Sequence, residues 1–433
     1  MTAMRRSSWR KRLHLGLRKA LALLPQETRY SFFRRLIDCD PAPDERLTLK
    51  IAETCEELEA CFKILHDAYV AAGFMRPHPS GLRATLYHAL PTTTTLCAKW
   101  DGKVVGTLSM IREGVFGFPM QSVFDLSQVR AREGQIAEIS ALAVHPDFRN
   151  TGGAILFPLM KFMYEYCRTY FDTRHLVIAV NPDRIEMYEA LLFFERLQEQ
   201  TVGNYDFANG APAVGAALDL RRAPETFKRI YGRRAPRKNL YRYFVETELA
   251  HIQLPKRRYF TTNDPVMTPE LLDHFFNQRT QTLDQLDDRK KALLWSIYQM
   301  AEYRRVLPML VDGAVPAGHP LRRHQRHSIR CPAELRLKDA EGQERRYVVT
   351  VVELSHGGFQ AHSALPLPLD ANGSALVELG VQERSQVDTQ VVRQVNSESG
   401  LFYGLRLVEP DGPWARCVAA LETQDTATEL NRA

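Results

Sequence analysis

The sequence predicts an α+β multidomain chain: a mixed α/β domain first, a helical linker, then a domain of short antiparallel strands. Length is one reason, since 433 residues exceed the roughly 100–200 of a single domain. A second is the exchange of strand-like alternation and helical apolar spacing between Leu47 and Phe194. The third is a change after Pro320 to alternation alone, punctuated by turn-forming clusters. Hydrophobic residues at 45% and charged residues at 25% exclude a largely disordered chain. No apolar run nears the roughly 18 residues that cross a bilayer.

Charge is concentrated at the start. Residues 1–37 carry +9 in a chain of net charge +6, which leaves −3 for the rest. Leu13, Leu17, Ala20, Leu21 and Leu24 recur at helical spacing, surrounded by Arg10, Lys11, Arg12, Arg18 and Lys19. Such an arm suits a helix lying on the anionic inner face of a membrane, or one packed on its own domain with a solvated basic face. Arg18 and Lys19 also interrupt what would be the apolar core of a cleavable signal. The seven cysteines, at 39, 55, 61, 97, 167, 331 and 417, include no CxxC pair and are odd in number. A zinc knuckle or disulfide framework is therefore not expected. A reduced, cytoplasmic compartment and no resident metal are.

The elements of the first domain follow in order. Leu47–Ala52 alternates as a strand, and Glu56 to Tyr69 places Leu58, Phe62, Leu65 and Tyr69 on one helical face. Leu96–Trp100 and Val104–Ile111 are strands joined by Asp101-Gly102, a hairpin signal. Gln135 to Val144 is a strand. The chain leaves it through His145-Pro146-Asp147-Phe148 and enters a helix through Arg149, Gly152, Gly153 and Ala154. His175–Val180 is a further strand, and Asn181-Pro182 opens a helix ending near Phe194. A glycine-bearing turn between strand and helix offers backbone N–H groups and a helix dipole to an anion. Glu138 is an acid among apolar strand neighbours, which makes it a general base or half of a structural ion pair. Ser140 shares its face by the two-residue period.

The succession strand, R-x-x-G-x-A loop, helix, strand, Asn181 and a helix carrying Tyr188 resembles the core of the GNAT acyltransferases. Gly106-Thr107, Gly117-Phe118-Pro119-Met120, Ala137 to Val144 and Asn209 to Val214 together are similar to the N-acyl amino acid synthases, relatives of the acyl-homoserine-lactone synthases, over roughly residues 45–222. The resemblance implies transfer of a long acyl chain from an acyl carrier protein to an amino acid amine. It implies an acyl-phosphopantetheine arm held by Leu142, Val144, Arg149, Gly152, Gly153, Ala154 and Asn181. Glu138 would take the amine proton, Ser140 would orient substrate, and a backbone N–H near Leu142 would face the oxyanion. Tyr188 matches the position of a thiolate-protonating tyrosine, or is a packed aromatic. Asp183-Arg184 stands where relatives often show Arg-His, so the amine side departs from the family pattern. An acyl-CoA-dependent GNAT enzyme and a non-catalytic effector remain alternatives.

Residues 221–258 hold twelve Lys or Arg against three acids, interleaved with Phe227, Tyr231, Tyr241, Tyr243 and Phe244. No nucleic-acid signature accompanies them, and no nucleic acid polymer is expected as a partner. Docking of an acidic acyl carrier protein and a solvated or interdomain face are the two readings. Thr268 caps a helix with Pro269 at its first position, helical spacing recurs from Leu293 to Ala301, and Gly313 to Pro320 marks a boundary. Arg322, Arg323 and Arg326 then precede Glu353, Ser355 and Gly358. This R-x-x-x-R and D/N-x-S-x-x-G pairing resembles a PilZ domain, a six-stranded antiparallel β-barrel that receives cyclic di-GMP. Glu353 stands in the Asp/Asn position. The expected organisation is a basic arm over 1–44, the acyltransferase domain over 45–222, a basic helical linker over 223–311 and the PilZ domain over 312–433.

Overall fold

The computed structural model describes residues 24–422, apart from 133, 150, 172, 265–266, 299–300, 311–325, 339–341 and 398–399. The stripe from Leu13 to Leu21, Arg322, Arg323 and the boundary at 313–320 lie outside the described residues. Among the described residues no helix is long and apolar enough to cross a membrane. The described part of the arm forms α1 (Gln26–Arg35), which docks on its own domain. Arg29 pairs with Glu186 at 2.7 Å, Tyr30 donates to Glu189 at 3.0 Å, and Arg34 donates to the Ala190 carbonyl at 2.9 Å.

The first domain runs β1 (Leu47–Ile51), α2 (Cys55–Ala72), β2 (Thr93–Trp100), β3 (Lys103–Arg112), β4 (Gln135–Val144), α3 (Leu156–Tyr170), β5 (Thr173–Val180), α4 (Pro182–Leu192), β6 (Glu195–Arg196), β7 (Val202–Tyr205) and β8 (Ala211–Asp219). The sheet order is β1-β2-β3-β4-β5-β8-β6, with β7 on β8, and β4–β5 is its parallel pair. Local chemistry sets the ends. Thr54 accepts the Glu57 N–H at 3.3 Å to cap α2, and Gly73 at φ +77° closes it. Asp101 and Gly102 sit at φ +47° and +76°, the left-handed pair that a two-residue hairpin requires.

The segment read as a linker is built into this domain. The core around α3 includes Ile37 and Cys39 before residue 45, and Phe227, Tyr231, Tyr243 and Phe244 beyond residue 222. Phe227 and Tyr231 lie on α5 (Ala223–Tyr231), whose Lys228 and Arg229 are exposed. The rings among the basic residues are therefore mostly core, and the charges face outward. A second cluster joins Phe62 and Leu65 of α2 to Leu272, Phe275 and Phe276, to Leu294 of α6 (Asp288–Ile297), and to Tyr298 and Tyr303. Thr268 caps its short helix as expected, accepting the Leu271 N–H at 3.3 Å.

The second domain is a closed antiparallel barrel of β9 (His327–Lys338), β10 (Glu344–Ser355), β11 (Gly358–Ser363), β12 (Asn372–Gly380), β13 (Glu383–Ser397) and β14 (Gly400–Leu407), in the order β10-β11-β14-β13-β12-β9. Its strands reach 15 residues, longer than the sequence turns suggest. α7 (Gly412–Glu422) closes it with Trp414, Cys417 and Val418 buried.

Residues 257–264 tie the two domains together. Phe260 N–H donates to the Leu379 carbonyl at 3.0 Å, and its own carbonyl accepts the Arg330 N–H at 2.9 Å. Tyr259 is fully buried in the barrel core. At the other end, buried Asp264 pairs with Arg257, accepts from Thr94 and from Tyr166 (2.8 Å), and lies 3.7 Å from Arg112. Arg112 also donates to Thr94 at 2.7 Å and stacks at 4.0 Å on Phe171. Burial pushes the Asp264 carboxyl up, but Arg257 and Arg112 outweigh it and hold its pKa below the usual value.

Candidate active site

Strands β4 and β5 pair only from Gln135↔Thr173 to Glu138↔Val177, and then separate. Between β3 and β4 the register shifts at Thr107/Ser109, so Ala141 and Leu142 oppose one residue. Ala141 takes the bulge at φ +54°. The bulge and the splay open two cavities that share Ser140, Asn181, Tyr69 and Phe74 as walls. One, of about 260 Å³, is lined chiefly by apolar side chains, among them Leu108, Met160, Met163, Ile178, Phe227 and Phe244. The other, of about 60 Å³, holds Glu138.

Glu138 is 1% exposed and accepts one N–H, from Met120 at 3.0 Å. Burial pushes its pKa up to about 8 against that bond. It has no ion-pair partner among the described residues, so the alternative of a structural ion pair is not met. The Gly117 to Met120 segment thus presents a backbone donor to the acid. Gly117 sits at φ +61°, and Gln121 accepts the Phe118 N–H at 2.7 Å to shape the turn. Ser140 lines both cavities, on the face of Glu138 that the strand period predicts. Leu142 and Tyr188 line the apolar cavity. Tyr188 packs edge-on against Phe194 at 5.9 Å, and burial raises its pKa. Asn181 caps α4 by accepting the Asp183 N–H at 2.9 Å while forming a wall of both cavities.

The glycine loop has the conformation its sequence implies. Gly152 and Gly153 lie at φ +68° and +93°, where a β-branched residue is strained. A Cβ on Gly153 would meet the Phe157 ring at 2.6 Å. Arg149 turns back to donate to the Val144 carbonyl at 2.8 Å, so its side chain braces the loop. Ala154 N–H donates to the Thr151 carbonyl at 3.3 Å. Replacing Gly152 with Val is expected to raise the apparent KM for the acyl donor several-fold or more, since the side chain fills space where the loop backbone must approach the phosphate, and to cost about 1–3 kcal/mol of stability through strain at φ +68°. Initial-rate kinetics of the folded variant, with kcat near the parent value, check this.

In the barrel, Arg326, Glu353, Ser355 and Gly358 meet at a cavity of about 290 Å³. Arg326 pairs with Glu353 at 2.9 Å, Ser355 donates to the Gly358 carbonyl at 3.1 Å, and a Cβ on Gly358 would collide with the Leu405 carbonyl. Sequence reasoning missed Arg393 and Arg406, which line the same cavity from β13 and β14. Alternation with barrel-core Leu405 and Leu407 is the signal that could have found Arg406, whereas Arg393 follows a bulge after Val391 that no two-residue period shows. Arg326 also borders a cavity of about 500 Å³ between the domains, with Arg112, Thr173 and Thr261 on the acyltransferase side.

Cys55, Glu59 and His274 bring ligand atoms within 4.8 Å of one another, a group the cysteine spacing gave no sign of. Arg279 already engages Glu59 at 2.7 Å, and a cation there would have to displace it. All seven cysteines are free thiols.

Residues 60–219 match the family model described as N-acyl amino acid synthase FeeM, and residues 320–421 match the PilZ domain model. The chain carries an N-acyl amino acid synthase domain of the FeeM type followed by a PilZ domain. None of the curated proteins matches it. Among solved structures, FeeM, an N-acyl amino acid synthase from uncultured soil microbes, is 24% identical, with 42% of this chain covering 94% of that one at a TM-score of 0.35. The CoA-dependent acyl-homoserine lactone synthase BjaI is 18% identical, with 48% covering 92% at 0.34. The acyl-homoserine-lactone synthase LasI is 15% identical, with 40% covering 90% at 0.31.

Proposed function

We propose that this chain transfers a long acyl group from the phosphopantetheine thioester of an acyl carrier protein to the amine of an amino acid, under control by cyclic di-GMP. The observation that carries the reading is the pair of cavities meeting at Ser140: one of about 260 Å³ lined chiefly by apolar side chains, one smaller that holds a buried acid without an ion-pair partner among the described residues. The acyl chain occupies the first. The amine enters the second, and its ammonium brings the counter-charge that burial withholds, so the Glu138 carboxylate forms as substrate binds. Glu138 then takes one proton from the ammonium, freeing the nitrogen lone pair that attacks the thioester carbon. The oxyanion faces the backbone beside Leu142, turned by the Ala141 bulge. The C–S bond breaks, Tyr188 gives its proton to the leaving thiolate, and the second proton of the attacking nitrogen restores the tyrosine. Products are an amide and a free thiol. Gly152, Gly153 and Ala154 receive the phosphate of the arm.

A carrier protein is supported by the exposed basic face. Arg237 holds Asp38 at 2.7 Å, and Asp38 Oδ2 lies 3.5 Å from where a Cβ on Gly152 would stand, so the basic segment borders the glycine loop. An acidic carrier docked there delivers its arm to the loop. The test is kinetic. Long-chain acyl carrier protein is expected to give a higher kcat/KM than the matching acyl-CoA, with a preference that shrinks as salt rises. Equal use of both donors at all salt concentrations would assign the enzyme to CoA.

Cyclic di-GMP control is supported by the position of Arg326, between the barrel cavity and the interdomain cavity, one residue before β9. β9 meets the tie at Thr261↔Ile329, and the tie ends on Asp264. Arg326→Ala is expected to weaken cyclic di-GMP about 10–100-fold, as removal of a charge-assisted contact of about 1.5–3 kcal/mol implies. Calorimetric titration of the full chain checks it; unchanged affinity removes Arg326 from the site.

A further inference from the structure

We infer that Tyr205, with Arg83 held between the Tyr69 and Phe207 rings of the cavity wall, forms the carboxylate-binding half of the acceptor subsite, and that this subsite favours a small α-amino acid such as glycine or alanine over an aromatic one. The inference rests on the reading of Glu138 as the group that meets the acceptor amine.

Tyr205 lines the Glu138 cavity, is 4% exposed, and its hydroxyl has no hydrogen-bond partner among the described residues. A buried hydroxyl left unpaired costs roughly 1–3 kcal/mol, so its place at a cavity calls for a ligand atom. Burial raises the pKa of this phenol, with Glu138 adding to the rise and Arg83 opposing it, so the hydroxyl stands within charge reach of both. It is a donor at any physiological pH. Arg83 is clamped between two rings of the same cavity wall. Its guanidinium carbon lies 4.0 Å from the Tyr69 ring centre and 4.9 Å from that of Phe207, and Nη2 donates to the Phe207 carbonyl at 2.8 Å. Among the described residues no carboxylate pairs with it. A half-buried guanidinium fixed by stacking, with donors to spare and no anion, is built to receive a carboxylate.

An acid in the cavity and a guanidinium stacked on two of its wall rings match a zwitterion: ammonium to Glu138, carboxylate to Tyr205, with Arg83 supplying the counter-charge. Size follows from the walls. The cavity is small, about 60 Å³ against about 260 Å³ for its apolar neighbour. Ala179, Ala211, Pro212, Ala213 and the Phe207 ring line it. Walls this close suit a small acceptor side chain better than an aromatic or long one.

Acyl transfer to glycine, alanine, phenylalanine and glycinamide, with the full chain and one acyl donor, tests this. Glycine or alanine is expected to be the best acceptor, and glycinamide at least 10-fold worse in kcat/KM. Tyr205→Phe and Arg83→Gln are expected to raise the glycine KM by about 10–100-fold with kcat little changed, and to leave the glycinamide KM as it was. Equal use of glycine and glycinamide, a preference for phenylalanine, or an unchanged glycine KM in folded variants overturns the inference while the acyltransferase reading stands. If no amine is acylated, that reading fails instead. Calorimetry with glycine then decides the subsite: heat that disappears in Arg83→Gln upholds it, and no heat with the parent protein overturns it.

Discussion

Replacing Glu138 with glutamine is expected to slow acyl transfer by about 10²–10⁴-fold, the usual weight of a general base. The variant keeps an acceptor for the Met120 N–H and nearly the same volume, so the cavity stays intact. The pH profile carries a second signature. With its pKa pushed up to about 8 by burial, Glu138 in the free enzyme ionises as pH rises, so kcat/KM climbs toward pH 8 and then levels. Glutamine removes that limb. Stability moves the other way, which separates lost chemistry from lost fold. A carboxyl whose folded pKa is raised stabilises fully below its unfolded value, and that contribution is lost as pH rises from about 4.5 through about 8. Glu138→Gln is therefore expected to unfold at a higher temperature than the parent at pH 9. An undiminished rate at neutral pH removes Glu138 from the mechanism.

Asp264→Asn is expected to give the largest loss of stability, about 3–5 kcal/mol, because Arg257 and Arg112 are left buried around a neutral amide. Thermal and urea unfolding read the loss directly. Its pH dependence has a defined sign. The folded pKa of Asp264 is held below its unfolded value, so its contribution is complete above about pH 4 and is lost as pH falls through the folded pKa. The gap between parent and variant is expected to be flat from neutral pH down to about 4 and to narrow below it. Unfolding curves that coincide at pH 7 would show that the network adds nothing. Because Asp264 anchors the segment that pairs with β9 and β12, the variant is also expected to blunt any response of acyl transfer to cyclic di-GMP.

The strands and helices around Glu138 were legible because each follows one period and carries its own end signals. Gln135–Val144 was read to the residue, and the Asp101-Gly102 turn was read from its composition. The tie was not legible. Arg257, Tyr259 and Asp264 sit in a stretch without periodicity, and their partners Thr94, Arg112 and Tyr166 are up to 170 residues away. The basic stretch stayed ambiguous for a related reason: composition records that rings and charges alternate, but only α5 shows them sorted onto opposite faces. Glu138 could be found from its apolar neighbours, whereas Tyr205 and Arg83 become visible only when a cavity brings them beside it. Of the residues that carry the PilZ resemblance, Arg326, Glu353, Ser355 and Gly358 line one cavity, where Glu353, in the Asp/Asn position, pairs with Arg326.

The most direct measurement is product identification by mass spectrometry, with the full chain, long-chain acyl carrier protein and a mixture of amino acids, with and without cyclic di-GMP. An N-acylated amino acid is expected, absent with Glu138→Gln, and formed at a rate that changes when cyclic di-GMP is added. A folded protein that leaves every amino acid unacylated, with carrier protein and CoA donors alike and in both nucleotide conditions, would contradict the assignment of this chain as an acyltransferase.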